Sequence, residues 1–186
     1  MPFGILTPEM EQAIASFVRG EHVWDLGSGD LAYAKTLLRL GTRHITAVDK
    51  EQSFRKTPPQ VTFLRLYFAD LLSQEPDIQT AFLSWPQNCA SATPGLPRLV
   101  QRAQTVIYLG CNLGGSQCGT EPLWADLIQR DVLAHIPNRR NSLIVYGKHT
   151  GFGRLLPEEI GAISEPMLSY EDAIALASDY SSSSSS

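Results

Sequence analysis

Cysteine is scarce in this chain, and long apolar runs are missing from it. The chain has three cysteines, Cys89, Cys111 and Cys118. They are too few for a disulfide framework, and their odd number would leave one unpaired. No apolar run approaches the roughly 20 residues that a membrane-spanning helix needs. The first residues also lack the positively charged stretch of a signal peptide. These absences predict a cytoplasmic protein that does not enter the membrane.

An excess of basic residues is also missing. The 186 residues contain 15 Lys and Arg against 19 Asp and Glu, for a net charge of −4. Such a balance makes a nucleic-acid partner unexpected. Cys111 and Cys118 are spaced too widely for a zinc knuckle and have no paired histidines beside them, so no metal is predicted. With 43% hydrophobic and 18% charged residues, the composition is that of an ordinary globular protein.

The clearest motif joins a short apolar strand, a glycine turn and a helix. The strand is predicted at His22–Leu26, and the turn is Gly27-Ser28-Gly29. Glycine lets the chain turn sharply and approach a ligand closely because it has no Cβ. At turns of this kind, backbone N–H groups commonly face a bound molecule. The following helix spans about residues 31–40, and Asp30 is its expected N-cap.

The remaining pattern alternates strands and helices. Further strands are predicted at 44–48, 61–66, 78–85, 105–109 and 142–146, with helices within 1–20, at 97–103 and at 121–135, the last of which ends at His135. This pattern predicts an α/β fold with a doubly wound, mostly parallel sheet and helices on both faces. We expect a single domain over residues 1–180. Its segment 150–180 has a weak pattern, and a disordered serine tail follows at 181–186.

Three acidic residues lie at or just beyond the predicted ends of the first three strands. They are Asp25, Asp49 and Asp70. Ligands of doubly wound sheets bind beyond the carboxyl ends of the strands. Clustered carboxylates suit a cation, or a ligand with hydroxyl and amino groups, and they repel phosphates. The strand ends therefore predict a site for such a ligand.

Val23-Trp24-Asp25-Leu26-Gly27-Ser28-Gly29 resembles the first motif of class I S-adenosylmethionine-dependent methyltransferases. Asp49 and Asp70 match the acidic positions of that family after strands two and three. The resemblance implies S-adenosylmethionine as cofactor: the glycine turn beside its methionine part, Asp25 near its amino group, Asp49 on the ribose and Asp70 with Leu71 at the adenine. The implied cofactor-binding set is Asp25, Gly27, Ser28, Gly29, Asp49, Lys50, Asp70, Leu71 and Ser84.

The sequence departs from the family pattern at two places. Leu31 stands where the family often has a third glycine, and Ser84-Trp85-Pro86-Gln87 stands where amino-directed members often carry an acid or amide before two prolines and an aromatic residue. No catalytic residue is identified. The candidate substrate contacts are Tyr33, Trp85, Cys111 and Asn112, and the expected methyl acceptor is a small molecule or a protein side chain.

Two other functions stay open. The stretch from Gly27 to Ala32 also fits the G-x-G-x-x-A pattern of nicotinamide dinucleotide enzymes, with Asp49 about twenty residues further on as the ribose-binding acid. The chain would then be an NAD(P)-dependent oxidoreductase. Alternatively, it could bind S-adenosylmethionine without transferring a methyl group, since Ser84–Gln87 departs from the motif and no base is evident.

Overall fold

One seven-stranded sheet with five helices makes up the part of the chain that the computed structural model describes, namely residues 6–87, 93–111, 118–138 and 141–148. The elements in chain order are α1 Pro8–Val18, β1 His22–Leu26, α2 Ala32–Arg39, β2 His44–Asp49, β3 Val61–Arg65, α3 Phe68–Ser73, β4 Thr80–Ser84, α4 Leu96–Arg102, β5 Thr105–Gly110, α5 Glu121–Leu127, β6 Asp131–Pro137 and β7 Ser142–Gly147.

The strand order is β3-β2-β1-β4-β5-β7-β6. Strands β1 to β5 pair in parallel, and β7 inserts antiparallel between β5 and β6. The order reverses between β1 and β4, and this switch point is where open α/β sheets bind ligands. The predicted doubly wound, mostly parallel sheet is confirmed.

Two apolar layers cover the two faces of this sheet. On one face, α1 and α2 pack against alternate residues of the strands, such as Val23 and Phe82. On the other face, α3, α4 and α5 pack against the residues in between, such as Leu26 and Leu83. Because side chains alternate along a strand, a central strand buried on both faces contributes residues to both layers.

Helix α1 begins where the sequence predicts. Thr7 has extended backbone angles, and its side-chain oxygen accepts a hydrogen bond of 3.2 Å from the N–H of Met10. Pro8 occupies the first turn, where its missing N–H is not needed. Met10, Ile14 and Val18 form the buried stripe. The capping and periodicity signals are therefore enough to locate this helix.

The long helix predicted over 121–135 is wrong. Helix α5 ends at Leu127, a turn follows, and residues from Asp131 form strand β6, so that His135 lies in a strand. Trp124, Leu127 and Ile128 have helical spacing, yet Ile128 is 61% exposed. Residues 131–137 form a strand because β7 offers them backbone partners, an interaction between segments that helical periodicity does not report.

Several predictions lie outside the described residues. These are Asn112, the segment 150–180 and the serine tail 181–186. Within the described ranges, none of the helices combines the length and the apolar character that a bilayer-spanning segment needs.

Candidate functional site

The glycine turn after β1 is held by hydrogen bonds within the protein. The N–H groups of Gly27 and Ser28 both donate to the carbonyl oxygen of Val48, at 2.8 and 3.2 Å. The N–H of Gly29 donates to Asp49 Oδ2 at 2.9 Å. Gly27 has φ of +91°, which explains the need for glycine there. Three donors that the motif could present to a ligand are therefore already engaged by β2.

A cavity of about 390 Å³ opens at the carboxyl ends of the parallel strands. Its size lies in the range of small-molecule and cofactor sites. Most of its wall comes from residues at or just beyond the carboxyl ends of β1 to β4: Leu26, Gly27, Ser28, Gly29 and Asp30 at β1; Asp49 and Lys50 at β2; Leu66, Tyr67 and Phe68 at β3; and Ser84, Trp85, Pro86 and Gln87 at β4. Ala32 and Tyr33 of α2 and Thr93 and Leu96 near α4 complete it.

Asp25 lies in β1, just before the turn, and is completely buried. Neither carboxylate oxygen has a hydrogen-bond partner among the described residues. Burial raises the pKa of Asp25 to about 7, and the charge of Asp49 adds to the shift. Asp25 is not among the residues that line the cavity, although its neighbours Leu26 and Gly27 are. The first predicted acid therefore lies behind the cavity wall.

Asp49 joins the ends of β1 and β2. Besides accepting from Gly29, it accepts a 3.0 Å hydrogen bond from the N–H of Glu51 through Oδ1. Its carboxylate lines the cavity and has further lone pairs for hydroxyl donors. Of the three predicted acids, Asp49 alone lines the cavity.

Asp70 and Leu71 do not line the cavity. Asp70 is exposed in the first turn of α3, and Leu71 is buried in the core. Helix α3 begins at Phe68, so the chain directly beyond β3 is Leu66-Tyr67-Phe68, and these residues form the wall instead. Leu66, Tyr67 and Phe68 were not among the predicted site residues, although the rule that ligands lie directly beyond strand ends points to them.

The predicted substrate contacts divide into two groups. Trp85 lines the cavity with φ of +50°, a strained conformation for a bulky residue, and its backbone N–H donates to the Leu109 carbonyl at 2.7 Å. Tyr33 also lines the cavity, with its ring 5.6 Å from that of Phe82. Cys111 follows β5 and is not a lining residue.

The start of α2 differs from the prediction. Leu31, not Asp30, is the N-cap, and it has left-handed angles of φ 63° and ψ 19°. Asp30 instead accepts a 3.0 Å hydrogen bond from the N–H of Ala32 through its side chain. The Asp30 side chain therefore still accepts from a backbone N–H at the start of α2, although Asp30 lies one residue before the N-cap. Leucine adopts here the backbone conformation for which glycine is the usual residue.

Comparison with solved structures finds relatives in fold. A proposed S-adenosylmethionine-dependent methyltransferase from Listeria monocytogenes matches with a TM-score of 0.51 and 12% identity, over 75% of this chain and 98% of that one. A proposed RNA methyltransferase from Pyrococcus horikoshii matches with a TM-score of 0.51 and 12% identity, over 75% and 82% of the two chains.

A third structure contains a ligand. The proposed methyltransferase SMU.776, complexed with S-adenosylhomocysteine, matches with a TM-score of 0.52 and 11% identity, over 75% of this chain and 48% of that one. No protein-family model and no curated protein matches the sequence. Together with the strand order, the structural matches show that this chain has a class I methyltransferase-like fold.

Proposed function

We propose that this chain is a methyltransferase that uses S-adenosylmethionine and acts on a small molecule or a protein side chain. The observation that carries the proposal is the glycine turn, whose Gly27, Ser28 and Gly29 N–H groups are bonded to Val48 and Asp49. A turn with its donors already engaged is a poor cradle for phosphate, and the nearby carboxylates of Asp30 and Asp49 would repel one. A cofactor without phosphate groups fits this wall better.

The residues present fit the proposed cofactor. Asp49 would accept hydrogen bonds from the ribose hydroxyls, and the Ser28 hydroxyl, which has no partner among the described residues, could bond the amino-acid part. Tyr67 and Phe68 offer aromatic surface for the base. Buried Asp25, whose pKa is about 7, would place negative charge behind the turn once it is deprotonated, and a cationic ligand nearby would favour that charged form. When bound, S-adenosylmethionine supplies a methyl group on a positively charged sulfur.

We place the methyl acceptor against the wall formed by Ser84–Gln87, because it includes Trp85, a predicted substrate contact; we call this wall the acceptor side of the cavity. Ser84, Trp85, Pro86 and Gln87 carry no side chain that titrates near neutral pH. The work of this wall is therefore to orient the acceptor and exclude water, which is the main requirement for an in-line displacement. We infer that the acceptor atom is a nucleophile that needs no strong base from the protein.

Two alternatives predict different ligands or products. A nicotinamide enzyme would need donors for a pyrophosphate, and the order β5-β7-β6 with an antiparallel β7 differs from the 3-2-1-4-5-6 order of the dinucleotide-binding fold. A protein that binds S-adenosylmethionine without catalysis is favoured by the unreactive side chains of Ser84–Gln87.

Calorimetric titration with S-adenosylhomocysteine and with NADH tests the proposal. We expect heat with the first ligand and none with the second; the opposite result would establish the nicotinamide alternative. If the first ligand binds, incubation with radiolabelled S-adenosylmethionine and a host-cell extract should label a component. Absence of any labelled component would favour the non-catalytic alternative.

The Asp49→Ala variant should bind S-adenosylhomocysteine more weakly by about 1–3 kcal/mol, because ribose hydroxyls would lose their acceptor. The matched control is Asp70→Ala, which removes the same charge from an exposed position outside the cavity wall. We expect the control to bind within about twofold of the unmodified protein. Equal weakening in both variants would mean that net charge, rather than a ribose contact, sets the affinity.

A further inference from the structure

Two thiols meet beside the sheet, in a place that the proposed methyl transfer does not use. Cys111 directly follows β5, and Cys118 comes shortly before α5. Their Sγ atoms are 2.6 Å apart, and the N–H of Cys111 donates to Cys118 Sγ at 3.2 Å. Formation of an S–S bond would require them to approach by only about half an ångström more.

The surrounding residues hold both cysteines in position. The Trp124 indole N–H donates to the Cys118 carbonyl at 2.9 Å, and the Tyr108 hydroxyl donates to the Cys111 carbonyl at 3.2 Å. Cys118 is only 1% exposed, whereas Cys111 is half-buried. A small oxidant can therefore react with Cys111 first, and the sulfur of Cys118 is placed to attack the oxidised sulfur of Cys111 afterwards.

The pair is connected to the wall of the cavity. Cys118 forms an antiparallel bridge with Gln87, and the N–H of Gly119 donates to the Pro86 carbonyl at 2.6 Å. Pro86 and Gln87 both line the cavity. A covalent link between the two sulfurs would therefore tie the end of β5 to the segment that supports the acceptor side of the cavity.

We propose that Cys111 and Cys118 are a redox modification site that forms a reversible intramolecular disulfide, with a small disulfide such as oxidised glutathione as the oxidant. The Cys111 thiolate attacks the glutathione disulfide, forming a mixed disulfide and releasing one glutathione thiolate. The Cys118 thiolate then attacks the Cys111 sulfur, forming the protein disulfide and releasing the second glutathione. Two protein thiols are oxidised, one external disulfide is reduced, and the two protons go to the two glutathione molecules.

The environment also sets the rate of this exchange. Burial, followed by the hydrogen bond with the Cys118 sulfur, raises the pKa of the Cys111 thiol. Only a small fraction of Cys111 is therefore thiolate at neutral pH, and the thiolate is the attacking form. The reaction should be slow at pH 7 and should become faster as the pH rises.

The test is equilibration of the full chain with oxidised glutathione, followed by intact-mass measurement, peptide mapping and thermal unfolding. The matched control is Cys89→Ser, which removes one thiol but leaves the pair. We expect both proteins to lose the mass of two hydrogens, to yield a linked peptide with Cys111 and Cys118, and to unfold about 5 °C or more higher than their reduced forms, since the bond closes a short loop. A reducing thiol should reverse all three changes.

The Cys118→Ser variant tests whether Cys118 is the second cysteine of the disulfide. It should form no intramolecular disulfide and should retain glutathione on Cys111, because the second attack is removed. The proposal is overturned if the unmodified protein keeps its free thiols, if it stops at a stable glutathione adduct, or if mapping links either cysteine to Cys89. None of these results depends on whether the chain transfers methyl groups.

Discussion

Asp25 lies in an environment that is unfavourable to its negative charge. It is fully buried in β1, neither oxygen has a partner among the described residues, and the pKa is raised to about 7. Between the unfolded pKa near 4 and the folded pKa near 7, the native state holds a proton that the unfolded chain has lost. The free energy of unfolding therefore falls as the pH rises through this window, and this contribution is constant above it.

The Asp25→Asn variant should lack this pH dependence because its side chain is neutral throughout. We expect the unmodified protein to lose on the order of 2–4 kcal/mol of stability, relative to the variant, between pH 4 and pH 8. Urea unfolding of both proteins across that range measures the difference. Two parallel stability curves would show that the Asp25 pKa is not raised.

Leu31 combines a strained backbone with a fully buried side chain. Its φ of 63° lies in the left-handed region, which costs a residue with a Cβ about 1–2 kcal/mol, whereas burying leucine contributes more than this. Packing outweighs strain, which explains how leucine is tolerated where the resembled family often has glycine.

Substitutions at Leu31 can separate these two effects. Leu31→Ala should destabilise the protein by about 2–5 kcal/mol because it removes the buried side chain and keeps the strain. Leu31→Gly removes the same side chain but relieves the strain, so it should be more stable than the alanine variant by about 1 kcal/mol. Denaturant unfolding measures both, and a more stable alanine variant would contradict the strain assigned to φ.

At the scale of elements, Arg130 connects α4, α5 and the start of β6. Its guanidinium donates to the carbonyls of Val100 and Ala103 at the end of α4, at 2.7 and 2.9 Å. It also donates to Asp126 in α5 at 2.9 Å, with the Arg130 side chain only 5% exposed. Carbonyls at a helix end need such partners, so this one side chain fixes the relative position of two helices.

The Arg130→Ala variant should lose about 3–5 kcal/mol of stability, because the carbonyls of Val100 and Ala103 and the carboxylate of Asp126 all lose their hydrogen bonds from the buried guanidinium. The matched control is Arg102→Ala, which breaks an exposed ion pair with Glu75 at 3.9 Å. Surface pairs of this kind contribute about 1 kcal/mol or less, so the control should unfold nearly as the unmodified protein does. Similar losses in the two variants, measured by urea unfolding, would contradict the structural role of Arg130.

At the scale of the whole molecule, the cavity joins elements that are far apart in sequence. Its wall includes residues from Leu26 to Leu96, which lie at or just beyond the ends of four different strands or belong to helices on both faces of the sheet. A ligand that bridges them binds the folded state alone, because the unfolded chain has no such wall. Ligand binding and global stability are therefore linked.

S-adenosylhomocysteine at about one hundred times its dissociation constant should stabilise the protein by about 2.7 kcal/mol. For a chain of this size, that stabilisation corresponds to a rise in the unfolding temperature of about 5–10 °C. NADH at the same concentration serves as the control and should leave the temperature unchanged. A rise with NADH alone would contradict the proposed cofactor.

The sequence by itself determined the central parallel strands, helix α1 and the glycine turn, because each depends on short-range signals. Alternating or continuous apolar runs identify strands, Thr7 and Pro8 mark a helix start, and Gly27 meets a backbone requirement at its own position. The strand-end rule also placed Asp49 at the candidate site. The same rule, applied to the residues directly after β3, points to Leu66, Tyr67 and Phe68; Asp70 lies outside the wall because α3 begins at Phe68, a boundary that was not predicted.

Only the tertiary structure decided strand β6, the burial of Asp25 and the meeting of the two cysteines, because each of these depends on residues distant in sequence. Residues 131–137 are a strand because β7 pairs with them, although their local spacing favours a helix. Asp25 is buried, and therefore has a raised pKa, because the neighbouring strands and helices close over it. Cys111 and Cys118 meet because the chain after β5 returns to the segment after β4. Local pattern specifies an element, but burial and pairing are properties of the assembled sheet.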